Sequence, residues 1–85
     1  MNDEMLILKG YVEISTYRTK ILKAIGNNVK IPSQIAKDSG IRINHISKVL
    51  NELKNKQLIK CINEEAYKGR LYKLTETGKQ ILEMI

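Results

Sequence analysis

Residues 32 to 59, PSQIAKDSGIRINHISKVLNELKNKQLI, decide the fold of this chain. Pro32 favours the first turn of a helix, because the N–H that proline lacks would have no partner there. Ile35 is expected to point inward from this helix. Gly40 ends the helix, because glycine adopts the positive φ of a tight turn without steric cost. The first half of the stretch therefore predicts a short helix followed by a sharp turn.

The second half of the stretch has a clear helical period. We expect this helix to begin around Asn44, whose side chain can cap its first turn. At the helical angle per residue, Ile46, Val49, Leu50 and Leu53 share one apolar face. The opposite face is polar and carries Asn44, Lys48 and Asn51. Asparagine can pair with adenine through two hydrogen bonds and lysine can reach guanine or phosphate, although most polar helix faces meet only solvent.

One helix is predicted before this stretch. Ser15 is a good N-cap, and Tyr17, Ile21 and Ile25 follow at spacings of four, which places them on one apolar stripe. Gly26 and the two asparagines after it end the helix, since both residue types tolerate the left-handed conformation.

A hairpin and a last helix are predicted after it. Residues 58 to 62, LIKCI, and residues 70 to 75, RLYKLT, change to the two-residue alternation of strands. The segment NEEAYKG between them predicts the hairpin loop. Thr75 then caps a final helix with an apolar stripe, which can pack on the same domain or on a second subunit.

Residues 1 to 14 allow two interpretations. Leu6, Ile7 and Leu8 form an apolar run that is too short for its period to distinguish a strand from a helix. The segment differs from the middle of the chain because acidic residues outnumber basic ones. We interpret it as a lead-in to a domain at residues 15 to 85, and as a candidate for a dimer contact or a lid over the core.

Positive charge is concentrated in the middle of the chain. The chain has 15 Lys and Arg against 9 Asp and Glu, a net charge of +6, and eight basic against three acidic residues between Arg42 and Lys73 account for +5 of it. Such a field attracts polyanions, and the release of counterions from DNA supplies affinity. A solvated basic surface that only aids solubility would have the same composition.

The composition also disfavours several classes of function. Cys61 and His45 are the single cysteine and the single histidine, so neither an intrachain disulfide nor a metal site is expected, and no cofactor is predicted. Cys61 lies in the strand alternation and is interpreted as a small packing residue rather than a redox switch. No catalytic set is recognisable, so no enzyme is expected. Without a signal peptide or an apolar run of about 18 residues, we expect a cytoplasmic protein with no membrane partner.

The order of these elements resembles the winged helix-turn-helix family, and most closely the small archaeal and archaeal-virus regulators related to MarR-like and ArsR-like repressors. The fragments that carry the resemblance are YRTKIL at 17 to 22, the stretch at 32 to 59, and KGRLYKLTETGK at 68 to 79. The resemblance implies an α+β, mainly helical fold with a three-helix core, a two-stranded wing and a C-terminal helix. It also implies a homodimeric transcriptional regulator, a repressor, that binds double-stranded DNA at a roughly palindromic operator.

The resemblance further implies which residues contact DNA. It makes the helix from Asn44 the recognition helix of the major groove, with candidate contacts at Arg42, Asn44, His45, Ser47, Lys48 and Asn51. Ser33 and Gln34 begin the preceding helix and would contact the DNA backbone, since helix N-termini attract phosphate. The tip of the wing would comprise Tyr67, Lys68, Gly69 and Arg70. The resemblance names no small-molecule effector for this chain.

Two other functions fit the same elements. Winged helices also serve as protein-interaction modules, and a non-specific architectural binder of nucleic acid would have the same charge. The face opposite Ile46 distinguishes the first of these, because exposed apolar residues there would favour a protein groove. The polar and basic residues that it carries favour nucleic acid.

Overall fold

The computed structural model describes residues 3–85, which form five helices and one two-stranded sheet. In chain order the elements are α1 (Asp3–Glu13), α2 (Thr16–Ile25), α3 (Pro32–Ser39), α4 (Ile43–Asn55), β1 (Ile59–Cys61), β2 (Tyr72–Leu74) and α5 (Glu76–Met84). This confirms the predicted fold class: α2, α3 and α4 form the three-helix core, β1 and β2 form the wing, and α5 is the C-terminal helix.

Two of the predicted helix caps are confirmed. The Ser15 hydroxyl accepts a hydrogen bond from the Arg18 N–H at 3.2 Å, at the start of α2. The Thr75 hydroxyl accepts one from the Gly78 N–H at 3.0 Å, at the start of α5. Each bond gives a partner to one of the backbone donors that a helix N-terminus leaves unpaired.

The predicted cap of α4 is wrong by two residues. Arg42 is the N-cap and Asn44 lies inside the first turn. The Arg42 backbone is extended, with φ −62° and ψ 141°, and its carbonyl already accepts a hydrogen bond from the His45 N–H at 2.9 Å. The helix therefore begins as soon as the chain leaves the turn after Gly40, without a side-chain cap.

Residues 3 to 13 of the lead-in form a helix, which decides between the two interpretations for that segment; residues 1 and 2 lie outside the described part of the chain. Helix α1 packs against α2 and α5, and Val12 is fully buried. Leu6 and Ile7 stay exposed, at 51% and 70% of their full accessibility. The short apolar run is thus a helix with one buried and one exposed apolar side.

The apolar faces of the helices and the sheet meet in one core. Helix α4 supplies the side chains that its period predicts, namely Ile46, Val49, Leu50 and Leu53. The other buried apolar residues are Val12, Ile21, Leu22, Ile25, Ile35, Ile41, Leu58, Ile59, Tyr72, Leu74 and Ile81. Tyr17 is an exception to the predicted stripe of α2, because it stays 41% exposed.

Both strands are shorter than predicted. β1 and β2 pair antiparallel, with Ile59 opposite Leu74 and Cys61 opposite Tyr72. The backbone ladder continues by one bond, from the Ile62 N–H to the Leu71 carbonyl at 2.9 Å. The Leu71 N–H then donates to the Asn63 side chain instead of to backbone. On its other side, Tyr72 exchanges two backbone hydrogen bonds with Lys30, which ties the sheet to the segment between α2 and α3.

The start of α5 meets the chain that follows α4 at the Leu58 carbonyl. Gln57 has a φ of 59°, a left-handed conformation that turns the chain sharply after α4. The Leu58 carbonyl accepts a hydrogen bond from the Thr75 N–H at 3.1 Å. Gly78 lies so close to it that a Cβ there would be 2.0 Å from the carbonyl oxygen. Only glycine lets α5 approach this backbone.

The helices of residues 3–85 are all too short, or too polar, to cross a lipid bilayer.

Gly78→Ala is expected to destabilise the fold by about 3 kcal/mol or more, the upper end of overpacking costs, because the obstacle is backbone rather than a movable side chain. For a domain of this size, that lowers the melting temperature by roughly 10 °C or more. Thermal unfolding followed by circular dichroism measures it. Gly10→Ala in α1 is the matched control, since its Cβ would meet no atom within 4 Å. Equal melting temperatures for Gly78→Ala and the unmodified chain would contradict the close approach.

Candidate nucleic-acid interface

The outer face of α4 has the polar character that its period predicts. Burial of Ile46, Val49, Leu50 and Leu53 turns the opposite side of the helix to solvent. The candidate contacts of the major groove are all exposed there: Arg42, Asn44, His45, Ser47, Lys48 and Asn51. Amide, hydroxyl, imidazole and ammonium groups are therefore presented on one accessible surface.

The turn before α4 and the start of α3 lie beside this face. Gly40 adopts the left-handed conformation, with φ 73°, and its N–H donates to the Ala36 carbonyl at 3.0 Å. Ser33 and Gln34 are exposed in the first turn of α3, as predicted. The Gln34 amide oxygen already accepts the Ile31 N–H at 3.1 Å, so this side chain stabilises the helix start as well.

The wing is organised by Asn63, a residue that sequence reasoning did not single out. Its amide oxygen accepts the Leu71 N–H at 2.7 Å, and its amide nitrogen donates to the Gly69 carbonyl at 3.2 Å. The same oxygen lies 3.5 Å from the Cys61 thiol, which donates to it. Asparagine at the start of a loop often bonds to nearby backbone, so its position right after a strand was a usable signal.

A hydrogen bond and a glycine further shape the wing tip. The Arg70 Nε–H donates to the Ala66 carbonyl at 3.0 Å, which uses only one of the guanidinium donors. Gly69 has a φ of 68°, a conformation that suits glycine. Tyr67 is 93% exposed, which a side chain with a purely structural role would not require.

An ion pair joins the wing to α4. Lys54, in the last turn of α4, contacts the Glu64 carboxylate in the hairpin loop. This hydrogen bond raises the pKa of Lys54 and lowers the pKa of Glu64. Both groups face water, so the pair contributes little to the free energy of folding. It does engage Lys54, which is then not free to pair with a polyanion.

A recess of about 300 Å³ separates α4 from the wing. It brings together five of the predicted contacts, Ser47 and Asn51 from α4 with Tyr67, Gly69 and Arg70 from the wing. Pro32, Leu50 and Tyr72 complete its lining. Arg42, Asn44, Lys68, Ser33 and Gln34 lie outside it, on the neighbouring exposed surface.

His45 and Lys48 line a second recess, of about 210 Å³, on the other flank of α4. Its remaining walls are Ser15, Tyr17, Arg18, Val49 and Glu52. The Tyr17 and His45 rings lie 5.7 Å apart and tilted by 45°, which explains why Tyr17 stays at the surface. Arg18 and Glu52 were not predicted as site residues, since their pairing across 34 positions leaves no local pattern.

Comparison with known proteins finds the same fold in several solved structures. Solved structures of similar fold include a double mutant of ZitR from Lactococcus lactis, with 21% identity, a TM-score of 0.71, and coverage of 82% of this chain and 49% of that one. A MarR family transcriptional regulator from Silicibacter pomeroyi has 13% identity and a TM-score of 0.70, over 96% of this chain and 61% of its own.

A third similar structure is a point mutant of MepR from S. aureus, with 21% identity and a TM-score of 0.59, over 99% of this chain and 54% of its own. The chain thus spans about half to three fifths of the length of the structures that it matches. No curated protein sequence matches it. The model of a family described as winged helix-turn-helix matches residues 9–85, and the chain therefore belongs to the winged helix-turn-helix family.

Proposed function

We propose that this chain is a transcriptional regulator, a repressor, that binds double-stranded DNA sequence-specifically as a homodimer. The observation that carries the proposal is the recess between α4 and the wing. Ser47 and Asn51, which can reach base edges, share it with Arg70, which can bind phosphate. Groups that can contact base edges and a group that can contact the DNA backbone thereby line the same recess.

In this proposal α4 enters the major groove, whose width of about 12 Å admits a helix. Asn44, Lys48 and Asn51 then point to base edges. The DNA strand that borders the groove runs along the recess between α4 and the wing. Tyr67 and Lys68 follow that strand towards the minor groove. Ser33 and Gln34 offer the start of α3 to a neighbouring phosphate. A protein bound in this way at a promoter excludes the polymerase by occupancy.

The dimer is proposed to form through α1, the helix of the lead-in that precedes the domain at residues 15–85. Its exposed side carries Leu6 and Ile7, and its acidic first turn makes it unsuited to DNA. Two copies joined in this way present two α4 helices, which must lie about 34 Å apart to enter successive major grooves. Two half-sites then supply the specificity that one helix lacks.

Fluorescence anisotropy tests the proposal. It measures the affinity for a pool of random DNA duplexes and for the duplexes selected from that pool by binding, at two salt concentrations. Lys48→Ala is expected to weaken binding to the selected duplex by about 1–3 kcal/mol, because a base contact is lost. Arg70→Ala should weaken all duplexes alike and reduce the salt slope by about 0.9 per lost phosphate contact. Lys23→Ala, which removes an exposed lysine of α2 that lines neither recess, is the control and should retain full affinity.

Each alternative function has its own result in this experiment. Salt-sensitive binding without enrichment of any sequence would identify an architectural nucleic-acid binder. No binding even at low salt would contradict the DNA proposal and favour a protein-interaction module.

Asn63→Ala is expected to lower DNA affinity about tenfold, a loss similar to that of a wing contact, because the loop that carries Tyr67 and Arg70 loses its internal bonds. The main core does not depend on this exposed loop, so the melting temperature should change little. Anisotropy and thermal unfolding measure the two quantities. Asn27→Ala, in the turn after α2, is the matched control. Unchanged DNA affinity of Asn63→Ala would contradict a role for the ordered wing.

Ile7→Glu is expected to convert the dimer to a monomer, since it places a charge on the apolar side of α1. Affinity for a paired site should fall by about 100-fold or more, because two linked contacts become one. Analytical ultracentrifugation measures the mass. Val29→Glu adds the same charge at an exposed apolar position between α2 and α3, and should leave the dimer intact. A wild-type monomer, or a dimer that survives Ile7→Glu, would exclude the α1 interface.

A further inference from the structure

Arg18, on the first turns of α2, contacts two other helices at once. Its Nη1 donates to the Tyr11 carbonyl of α1 at 2.8 Å, and its guanidinium carbon lies 3.7 Å from the centre of the Tyr11 ring. Its Nε donates to the Glu52 carboxylate of α4 at 3.3 Å. The side chain is only 16% exposed, so these contacts are largely screened from water. One guanidinium thus joins α1 to the recognition helix.

The contact with α1 gives a hydrogen-bond partner to a carbonyl group in the last turn of that helix. The last turn of a helix leaves carbonyl groups without helical partners and carries a partial negative charge. Helix α1 has no basic residue in its own last turn, and Arg18 supplies the cation from α2. The next carbonyl, that of Val12, accepts the Ser15 N–H at 3.1 Å and the Thr19 hydroxyl at 3.1 Å. The end of α1 is therefore held firmly against α2.

The contact with α4 lies beside the candidate DNA contacts. Glu52 and Arg18 line the same recess as His45 and Lys48. A second basic residue strengthens the link, because the Lys56 ammonium at the end of α4 lies 5.2 Å from the centre of the Tyr11 ring. Directional contacts centred on Tyr11 and Arg18 thus link α4 to α1.

We propose that Arg18 is a positioning residue that sets the angle between α1 and α4, and thereby the half-site spacing that the dimer accepts. This rests on the proposed function, in which α1 joins two copies and α4 reads DNA. A helix about 17 Å from the dimer axis moves by roughly 3 Å when it turns by about 10°, which is close to the rise of one base pair. A small change of this angle is therefore enough to alter the preferred spacing.

Arginine suits this role better than lysine. A guanidinium is planar, so it can stack on a ring and donate in two fixed directions at the same time. An ammonium keeps the charge but has a single nitrogen, which cannot reach the Tyr11 carbonyl and Glu52 with the same geometry. Arg18→Lys consequently removes the directional link while it conserves the charge, and Glu52→Gln conserves the acceptor while it removes the charge.

The test measures binding of the full chain to duplexes that carry two copies of the selected half-site, with spacers that differ by one base pair. The quantity compared is the ratio of affinities for the best and the next-best spacing. This ratio cancels any loss of correctly folded protein, because both affinities come from one sample. Thermal unfolding and sedimentation of the same samples report fold and dimer.

Arg18→Lys is expected to lower this ratio by about fivefold or more, the lower end of coupling between distant sites. Glu52→Gln should lower it less. Tyr11→Phe is the matched control, because the contacts use the ring and the backbone carbonyl but not the hydroxyl.

An unchanged ratio in Arg18→Lys, or an equal change in Tyr11→Phe, would overturn the role of Arg18 while leaving the proposed function intact. A wild-type protein that binds single half-sites as tightly as paired ones would contradict the proposed function itself, and the spacing role with it.

Discussion

Burial of one face of α4 is the constraint on which the rest of the structure depends. Ile46, Val49, Leu50 and Leu53 pack against α2, α3 and β1. Each fully buried side chain of this kind stabilises the fold by about 1.5–3 kcal/mol, which exceeds any single polar contact on the surface. Rotation of α4 that buried Lys48 or Asn51 would lose this free energy and leave polar groups without partners. The direction of the candidate DNA-reading face is therefore set by the core.

The same constraint propagates to the wing. Helix α4 must end at a fixed place for β1 to begin at Ile59. The left-handed conformation of Gln57 turns the chain sharply between the two elements. The Leu58 carbonyl then becomes the common contact of Thr75 and Gly78. Both ends of the hairpin are anchored there, and its tip lies farthest from this anchor. Asn63 orders that tip by replacing backbone pairing with its own amide group.

Features with a local cause could be predicted from the sequence. The caps at Ser15 and Thr75 and the apolar face of α4 each depend on residues close together in the chain, and the structure confirms them. The predicted start of α4 is wrong because Asn44 is a good cap by residue type, whereas the helix begins directly after Arg42, whose backbone is extended.

Features with a distant cause could not be predicted. The helical state of the lead-in depends on packing against α2 and α5, the latter more than 60 positions away in sequence. Tyr17 matches the apolar period of α2 but lies at the surface beside His45, a residue of another helix. The pairing of Arg18 with Glu52 likewise exists only in the folded chain. Asn44, Lys48 and Asn51 follow from the helical period, the other candidate contacts from the family resemblance, and the roles of all of them stay predictions.

The structure also changes how the positive charge of the chain should be counted. Lys9 is paired with Glu13, Arg18 with Glu52, Lys30 with Asp38 and Lys54 with Glu64, so these four cations are already engaged within residues 3–85. Among the exposed basic residues, Arg42, Lys48, Lys68 and Arg70 lie on α4, at its start and on the wing. Acidic α1 lies at the other end of the Arg18 link. Arg18 thus joins helices to one another, whereas Arg42, Lys48, Lys68 and Arg70 stay accessible to solvent.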